Sequence, residues 1–375
     1  MNKVGINLLW MVPGVVGGSE TYTTRLLSGL AERSTAFDYT IFALPQFAEA
    51  HPDLAKTFKT AFAPVTGQWK SFRVAGENSW LLAQCRRRRI ALVHHAGGIV
   101  PMLRTHRSIL TIHDLQYLYY PEYFTTPKLT YLKSMVPRSA EAARLILTPS
   151  EFSRRTVIER LNIDPNFVVV VPHGISPHEH RERMESVRDE YDIRGPFFLY
   201  PAITYPHKNH LVLVEAFAKV LEAHPDTILV LTGAKGSMEV RINSEISQLG
   251  ISERVKRLGY IPSGHLDALY REAVAMCFPS RFEGFGAPVL EAMGRACPVI
   301  AADATAIPEV VGEAGRLLSP DNADHWMQAM TDLLVDSELR TNLAKAGMER
   351  ARAFSWTAAA DVLEDSYSHA LETTL

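Results

Sequence analysis

Residues 277–294, CFPSRFEGFGAPVLEAMG, decide the fold of this chain, because they have the pattern of a strand, a glycine-rich loop and a helix in direct succession. The apolar start of the stretch is typical of a buried strand, and Pro288 suits the first turn of a helix. A loop of this kind places backbone N–H groups at a helix N-terminus, where they can bind an anion. The stretch therefore predicts a parallel α/β sheet with a ligand site beyond the carboxyl end of this strand.

The same alternation continues outward in both directions. Short β-branched and apolar runs alternate with segments of helical period along the chain, which predicts doubly wound parallel sheets with helices on both faces. At 375 residues the chain is too long for one hydrophobic core. We predict two Rossmann-like domains, residues 1–180 and 190–355, joined where the pattern lapses between residues 175 and 195, with a separate amphipathic helix over 356–375.

Composition places the chain among soluble globular proteins, since 47% of its residues are hydrophobic and 21% are charged. Its longest apolar runs have the length of strands, far short of the roughly 18 residues that a membrane span needs. No signal-peptide cleavage pattern follows the first residues. The three cysteines, Cys85, Cys277 and Cys297, lack the spacing of a metal site and indicate a reducing compartment. These features predict a cytoplasmic protein.

Charge is distributed unevenly between the two halves. Residues 1–180 carry a net charge of +7 and the remainder −9, so we expect the N-terminal half to meet an anionic membrane surface or a phosphorylated acceptor rather than a nucleic acid. The densest basic run is the four consecutive arginines at 86–89. These cations suit either a solvated helix C-terminus or a lipid headgroup, and the sequence leaves both interpretations open.

Two loops in the N-terminal half have unusual chemistry. The sequence MVPGVVGGSE, residues 11–20, has Gly17 and Gly18 before a predicted helix, which favours close approach of backbone to an anion but is also compatible with a turn capped by Ser19. The spacing does not fit the dinucleotide fingerprint G-x-G-x-x-G. His113 ends a buried strand, where it is either structural or in contact with substrate. The other histidines, His94, His95, His178 and His180, show no metal-ligand spacing, and we predict no metal.

Two loops in the C-terminal half carry charge at helix starts. Lys208 stands in YPHKNH, residues 205–210, at the start of a predicted helix, where a cation is disfavoured unless a bound anion compensates it. In the opening stretch, the backbone of Phe285, Gly286 and Ala287 forms a predicted anion site. Glu291 is expected in the first helical turn, where it could complement the helix dipole or accept hydrogen bonds from a sugar diol. Two carboxylates this close, Glu283 and Glu291, also allow an acid/base interpretation.

Taken together, these motifs resemble the retaining glycosyltransferases of family 4, which have the GT-B fold. The resemblance covers nearly the whole chain and is most specific in the C-terminal motif from Glu283 to Glu291. It implies two Rossmann-like domains that face each other across a cleft, with the final helix crossing back to the N-terminal domain. It also implies a nucleotide-diphospho-sugar donor, linked to GDP or UDP, and no cofactor.

The resemblance also implies roles for individual residues. Glu291 would hold the ribose hydroxyls, Glu283 would face the donor sugar, and the backbone of Phe285, Gly286 and Ala287 would bind the sugar or the diphosphate. Lys208 would neutralise the diphosphate, Gly17 and Gly18 would approach the phosphate, His113 would contact the transferred sugar, and the loop near Tyr260 would line the base. His113, Glu283 and Lys208 are the implied catalytic set.

One departure from the family pattern concerns the phosphate clamp. Many members have an arginine six residues before the lysine, and here that position is Ala202. Either His207, an arginine elsewhere, or Lys208 with backbone N–H groups alone would then hold the diphosphate. The YPA…PHKNH variant is similar to enzymes of bacterial surface polysaccharide, lipopolysaccharide and O-antigen synthesis, several of them mannosyltransferases. This similarity implies a mannose donor and a glycan or polyprenyl-diphosphate-linked acceptor.

The preferred interpretation is therefore a metal-independent hexosyltransferase that retains the anomeric configuration by front-face attack. Helix and glycine N–H groups with a lysine can stabilise a departing diphosphate. Three alternatives remain. A glycoside hydrolase also uses two carboxylates, a GT-B 2-epimerase would act without an acceptor, and a nucleotide-sugar-binding regulator would bind without turnover.

Overall fold

A computed structural model describes residues 2–33, 36–104, 106–175 and 184–372. The chain divides into two compact units. Unit 1 contains Met1–Gly174 and Phe354–Leu375, and unit 2 contains Ile175–Ala353. Two of the scattered histidines, His178 and His180, lie outside the described residues.

The described part of unit 1 forms a seven-stranded parallel sheet in the order β3-β2-β1-β4-β5-β6-β7. Its strands are Asn2–Asn7 (β1), Phe37–Ala43 (β2), Lys59–Phe62 (β3), Leu92–His95 (β4), Arg107–Thr111 (β5), Leu145–Thr148 (β6) and Val168–Val170 (β7). The helices between them are Gly18–Ala31 (α1), Phe47–Ala50 (α2), Pro52–Thr57 (α3), Lys70–Asn78 (α4), Trp80–Arg88 (α5), Gln116–Tyr119 (α6), Thr126–Ala142 (α7) and Glu151–Leu161 (α8). The strand order reverses between β1 and β4, which makes that point the topological switch of unit 1.

Unit 2 repeats the architecture with a six-stranded parallel sheet in the order β10-β9-β8-β11-β12-β13 over its described residues. Its elements are Met184–Glu190 (α9), Phe197–Pro201 (β8), His210–Ala223 (α10), Ile228–Thr232 (β9), Glu239–Gln248 (α11), Val255–Gly259 (β10), Ser263–Glu272 (α12), Ala275–Phe278 (β11), Ala287–Gly294 (α13), Val299–Ala302 (β12), Ile307–Val311 (α14), Arg316–Leu318 (β13), Ala323–Val335 (α15) and Ser337–Ala351 (α16). The switch point of this sheet lies between β8 and β11. The four neighbouring strands β9, β8, β11 and β12 are buried along almost their whole length, as expected for a sheet covered by helices on both faces.

The final helix, Trp356–Glu372 (α17), belongs to unit 1, as the family resemblance implies. It packs against α1 and buries Ala359, Ala360 and Leu363. The contact is close, because a Cβ atom added to Gly29 of α1 would lie 2.5 Å from the carbonyl oxygen of Trp356. The hydroxyl of buried Tyr367 also pairs with His94 Nδ1 on β4 at 2.9 Å. The N-terminal core is therefore completed by the last helix of the chain.

The segment from 175 to 195 is not irregular throughout, although its polar composition suggests a linker. It contains α9, and the side chains of Val187 and Ile193 are buried. Arg188 in this helix donates hydrogen bonds to the carboxylate of Glu272 and to the carbonyl of Gly195. Within the described residues 184–195, two buried apolar side chains and the hydrogen bonds of Arg188 hold α9 in place. Among the described residues, no helix combines the length and the apolar character that crossing a membrane requires.

Candidate functional site

Two loops meet at the switch point of unit 2. The loop after β8 contains Ala202 and a 3₁₀ turn, Pro206–Lys208, and the loop after β11 contains Arg281 and Glu283. The backbone N–H of Arg281 donates to the carbonyl of His207 at 2.8 Å, which joins the two loops. Because the carboxyl ends of parallel strands lie at one edge of a sheet, residues about 75 positions apart in sequence become neighbours here.

The side chains of Lys208 and Glu283 form an ion pair in this position. Lys208 Nζ donates to Glu283 Oε1 at 2.6 Å, and the two side chains are 18% and 13% exposed. Tyr200 fixes the lysine backbone, since its hydroxyl donates to the carbonyl of Lys208 at 2.5 Å. Burial, followed by the charge of Glu283, raises the pKa of Tyr200 well above its usual value, so this hydroxyl stays protonated. The structure thus brings together two of the predicted catalytic residues and balances their charges.

Glu283 is oriented through its backbone by Thr305. The Glu283 N–H donates to Thr305 Oγ1 at 3.0 Å, and Thr305 itself has a positive φ of 54°. A β-branched residue in the left-handed region is strained, so surrounding contacts must impose this conformation. Nothing in the sequence pattern indicates this role for Thr305. It becomes visible only because the loop after β12 lies beside Glu283 in the folded chain.

The glycine-rich loop leads into α13 as the sequence predicts. Gly286 precedes the helix with φ 101°, a conformation that favours glycine, and Ala287 and Pro288 begin the first turn. Phe285 is buried. The three backbone N–H groups of residues 285–287 therefore lie at the N-terminal end of α13, where a helix attracts negative charge.

Glu291 lies slightly further along α13 than expected. Because the helix begins at Ala287, Glu291 is in its second turn and not in the first. This position weakens the interpretation as a dipole-compensating residue, since that effect falls off beyond the first turn. The hydroxyl of Tyr270 donates to Glu291 Oε2 and to the Pro288 carbonyl, both at 3.4 Å. Burial raises the pKa of Tyr270 well above its usual value, and the Glu291 charge adds to this, so the phenol remains a donor.

Ala202 occupies the loop position where many family members have an arginine. It is buried and donates its N–H to the Thr232 carbonyl. Burial, and then the charge of Lys208, lowers the pKa of His207 to about 4, so its imidazole is neutral at pH 7. Arg281 is the cation of the neighbouring loop, and its guanidinium pairs with Asp321 Oδ1 at 2.6 Å. Of the three replacements considered for the missing arginine, His207 therefore supplies no charge at pH 7.

In unit 1, Gly17 and Gly18 lie at the start of α1 in open surroundings. Gly17 has φ 73° and precedes the helix, and a Cβ atom added to either glycine would meet no atom within 4 Å. Ser19 does not cap the helix, because the N-cap position is Gly17 and no side chain caps the helix start. Glu20 holds the loop instead, accepting from the Gly14 N–H at 2.9 Å while its other oxygen pairs with His51 Nε2. Glu20 is a loop-positioning residue that the sequence did not single out.

His113 follows β5 and lies against buried Tyr22 in a group of rings. Its ring meets the Tyr22 ring edge-on with 5.2 Å between the ring centroids, and the Tyr22 and His173 centroids are 4.6 Å apart. Burial lowers the pKa of His113 to about 4, while a hydrogen bond to the backbone of Ala96 acts in the opposite direction. Its Nε2 atom is buried and has no hydrogen-bond partner. The ring is therefore neutral at pH 7, and its Nε2 forms no hydrogen bond within the protein.

Two further predicted positions lie at the surface. Tyr260 follows β10 directly and is 88% exposed. Arg86, Arg87 and Arg88 occupy the last turn of α5, which is the arrangement expected for cations that complement a helix dipole. Within residues 2–33, 36–104, 106–175 and 184–372, no group of three His, Cys, Asp or Glu side chains is placed to hold a metal ion.

Two protein-family models match this chain. The family model described as Glycosyl transferases group 1 matches residues 185–350, and the model described as Glycosyltransferase Family 4 matches residues 16–179. The chain is 30% identical to O-antigen chain mannosyltransferase B of Escherichia coli over 271 residues, which cover 70% of this chain and 71% of that protein. It is 27% identical to D-inositol 3-phosphate glycosyltransferase of Corynebacterium aurimucosum, over 80% of this chain and 70% of that protein.

Solved structures share the fold. Sucrose-phosphate synthase from Thermosynechococcus elongatus superimposes with a TM-score of 0.79 at 19% identity, covering 98% of this chain and 99% of that one. Anabaena Alr3699/HepE in complex with UDP-glucose gives a TM-score of 0.78 at 18% identity, covering 98% of this chain and 100% of that one. The two doubly wound sheets, both family models and the Escherichia coli relative agree: the chain is a member of glycosyltransferase family 4 and has the GT-B fold.

Proposed function

We propose that this glycosyltransferase moves a mannosyl unit from GDP-mannose to a glycan or lipid-linked acceptor with retention of configuration. The observation that carries the proposal is the Lys208–Glu283 pair at the switch point of unit 2. A cation and a carboxylate held 2.6 Å apart beside the Gly286 turn suit a ligand with a diphosphate and a sugar side by side. The mannosyl donor is supported by the resemblance to O-antigen mannosyltransferases of Escherichia coli and Salmonella typhimurium.

The diphosphate would be bound by charge and by backbone donors. Lys208 would neutralise it, the N–H groups of Phe285, Gly286 and Ala287 would donate to it or to the sugar, and Glu291 would accept from the ribose hydroxyls. The pairing of Glu291 with Tyr270 supports this role, because it orients the carboxylate. Tyr260, exposed after β10, would line the base.

Unit 1 would contribute Gly17, Gly18 and His113. The space around both glycines supports close approach of a phosphate to the backbone. The unpartnered Nε2 of neutral His113 supports a hydrogen bond with a hydroxyl of the transferred sugar. A neutral imidazole suits this role better than an imidazolium, because a sugar hydroxyl can then donate to it.

In the proposed step, the acceptor hydroxyl oxygen bonds to the anomeric carbon on the face that the diphosphate leaves. The bond from that carbon to the phosphate oxygen breaks, and the departing phosphate takes the proton of the hydroxyl. Lys208 and the N–H groups of the α13 start stabilise the charge that develops on this phosphate. No metal and no cofactor are needed in this scheme.

The decisive experiment is a thermal-shift and transfer screen with GDP-mannose, UDP-glucose and ADP-glucose. GDP-mannose at a hundredfold excess over Kd should stabilise the protein by about 2.7 kcal/mol. Transfer of mannose with α-configuration to an acceptor, followed by NMR, would support retention. Absence of any shift with all three donors would remove the donor assignment.

We further propose that the enzyme acts in the cytoplasm at the inner face of the membrane, with unit 1 towards the lipid. Trp69 and Phe72, at the start of α4, are exposed, as are Met102 and Leu103 beside the end of this helix. Lys70 of α4 lies near two other cations: after burial, the charges of Lys128 and Arg73 lower its pKa. Exposed apolar side chains with adjacent cations are typical of peripheral contact with anionic lipid.

A further inference from the structure

The loop after β13, residues 319–322, contacts both loops that meet at the switch point of unit 2. Its strand is the edge of the sheet, three places from β8 and two from β11. Asn209, which follows β8, nevertheless donates from Nδ2 to the Pro320 carbonyl at 2.6 Å. Arg281, which follows β11, pairs with Asp321. A third loop thus joins the two that carry the ion pair of the candidate site.

The two contacts of this loop differ in burial. The side chains of Arg281 and Asp321 are 38% and 65% exposed, so water and salt weaken their attraction. Asn209 is only 5% exposed. Its hydrogen bond is harder to replace, because a buried amide that loses its acceptor has little water to turn to. Asn209 is therefore the residue through which the loop can act on the site.

Residues 319–322 are fixed at both ends. The indole Nε1 of fully buried Trp326 donates to the Ser319 carbonyl at 2.9 Å. At the other end, Asn322 Oδ1 accepts from two backbone N–H groups in the first turn of α15 and so caps this helix. The loop is therefore a rigid partner for a hydrogen bond.

Asn209 has a backbone conformation that few residues adopt. Its φ of 55° and ψ of 40° lie in the left-handed region, which asparagine tolerates better than most residues. An asparagine directly before a helix usually caps it with the side chain, but no side-chain cap is present at the start of α10. The amide donates to the Pro320 carbonyl instead. The side chain thus serves the contact with the loop and not the helix that follows.

The backbone of Lys208 is confined by this neighbour. The N–H of Asn209 closes the 3₁₀ turn by donating to the Pro206 carbonyl at 3.2 Å, and the Lys208 carbonyl accepts from the Tyr200 hydroxyl. Because a peptide bond is planar, fixing Asn209 also fixes the orientation of the peptide that joins it to Lys208. The direction from which the lysine side chain approaches Glu283 therefore depends on Asn209.

We propose that Asn209 is a positioning residue, which holds Lys208 beside Glu283 through its left-handed backbone and its hydrogen bond to Pro320. The inference rests on the proposed function, because it presumes that Lys208 stabilises the leaving diphosphate. Asn209 would touch no substrate and would act through the lysine alone. The loop after β13 would thereby set how closely the ammonium group meets the charge that develops in the transition state.

The first test is Asn209→Gly, which keeps the left-handed conformation accessible and removes the amide. The kcat for transfer from GDP-mannose should fall about ten- to hundredfold while the donor KM changes less than about threefold, because a displaced charge is felt most in the transition state. Asn209→Asp keeps the shape but cannot donate, and should lose at least as much. Asn162→Gly is the matched control, because Asn162 is exposed at the end of α8 with φ 53°, and kcat should stay at the wild-type value.

A double-mutant cycle with Lys208→Gln shows whether Asn209 acts through the lysine. In the Lys208→Gln background, Asn209→Gly should lower kcat by less than about twofold, since the group that it positions is gone. A purely structural role would give the same fold loss in both backgrounds. That result, or a wild-type kcat in both Asn209 variants, would overturn the assignment.

Reductive methylation of Lys208, quantified by peptide mass spectrometry, measures its positioning without any donor. The paired and mostly buried ammonium group should react at least about threefold faster in Asn209→Gly than in the wild type, because a restraining hydrogen bond is lost. Melting curves identify a variant that fails to fold, and Asn209→Asp then carries the test.

The methylation rate separates this inference from the proposed function. Faster methylation in Asn209→Gly, in a protein that binds no nucleotide sugar, would contradict the proposed function and leave the positioning of Lys208 intact. Mannose transfer by the wild type, with methylation and kcat both unchanged in Asn209→Gly, would contradict the positioning role alone.

Discussion

Lys208 Nζ donates to Glu283 Oε1 at 2.6 Å, so the cation and the carboxylate of the candidate site are partners of each other. Both side chains are mostly buried, which makes the pair stronger than one at the surface and its disruption more unfavourable. A diphosphate that binds Lys208 must share it with Glu283. The carboxylate would thereby be held beside the sugar that the diphosphate carries.

Lys208→Gln should reduce transfer by about a hundredfold or more, because it removes the charge that stabilises the leaving diphosphate. It should also weaken GDP binding and destabilise unit 2 by about 1–2 kcal/mol, since Glu283 loses its partner while remaining partly exposed. Steady-state kinetics and GDP titration measure these effects. Lys208→Arg is the matched control and should retain most of the GDP affinity.

Glu283→Gln should separate binding from chemistry. The amide keeps the shape and the backbone hydrogen bond to Thr305, so GDP affinity should change by less than about threefold while transfer falls about a hundredfold. Wild-type transfer by this variant would exclude the carboxylate from the reaction.

Gly18→Ala should distinguish a ligand-binding loop from a simple helix start. Gly18 is the first residue of α1 and has open space around it, so alanine should leave stability unchanged or raise it by up to about 1 kcal/mol. If the backbone approaches a phosphate, the added methyl should nevertheless lower donor affinity about tenfold. Gly17→Ala serves for comparison, because φ 73° predicts a loss of about 1 kcal/mol in stability at that position. Unchanged donor affinity in Gly18→Ala would leave the helix start as the role of this glycine.

Unit 1 should lose stability in mild acid. Burial lowers the pKa of His94 and of His173 to about 3, with a smaller contribution from His113, so both rings stay neutral when folded. In the unfolded chain they take up protons below pH 6.5, and the stability present above that value is lost as the pH falls towards 3. At pH 5 each should lower the free energy of unfolding by about 2 kcal/mol relative to pH 7.

Hydrogen exchange in β4 and β5 between pH 7 and pH 5, corrected for the intrinsic rate, measures this loss. Protection that does not change over this interval would show that neither histidine resists protonation.

Gly29→Ala should destabilise unit 1 and leave unit 2 unaffected. The new methyl would lie 2.5 Å from the Trp356 carbonyl oxygen, which is too close for two non-bonded atoms, and so would push α17 away from α1. Overpacking of this kind lowers stability by about 1–3 kcal/mol. Chemical denaturation followed by exchange of α17 amides provides the measurement, and a wild-type midpoint would contradict this packing.

Trp69→Ser with Phe72→Ser should reduce binding to vesicles that contain anionic lipid, and the loss should persist at high salt, because salt screens the cations and not the apolar contact. Co-sedimentation with phosphatidylglycerol vesicles and with phosphatidylcholine vesicles is the measurement. Val240→Ser, at an 81% exposed position of unit 2, is the control. Equal sedimentation of the double variant and the control would contradict the lipid contact.

Much of the architecture is predictable from local pattern. Alternating buried runs and helical periods predict both parallel sheets, and the motif from Glu283 to Glu291 predicts a loop that enters a helix at Pro288. Glu291 is expected in the first helical turn but lies at the start of the second, because the helix begins at Ala287, directly after Gly286 with its positive φ. The polar composition around Val187 does not predict helix α9, in which this side chain is buried.

Periodicity, glycines and charged loop positions are local properties of the chain, and they are sufficient to predict the fold class, the family and most candidate site residues. Which residues become neighbours depends on the tertiary structure: Lys208 pairs with Glu283, and Thr305 supports the backbone of Glu283. These contacts join loops far apart in sequence, and parallel strand order brings the loops to one edge of a sheet. The desolvation that makes His113 and His207 neutral likewise depends on what surrounds each ring, which no local pattern contains.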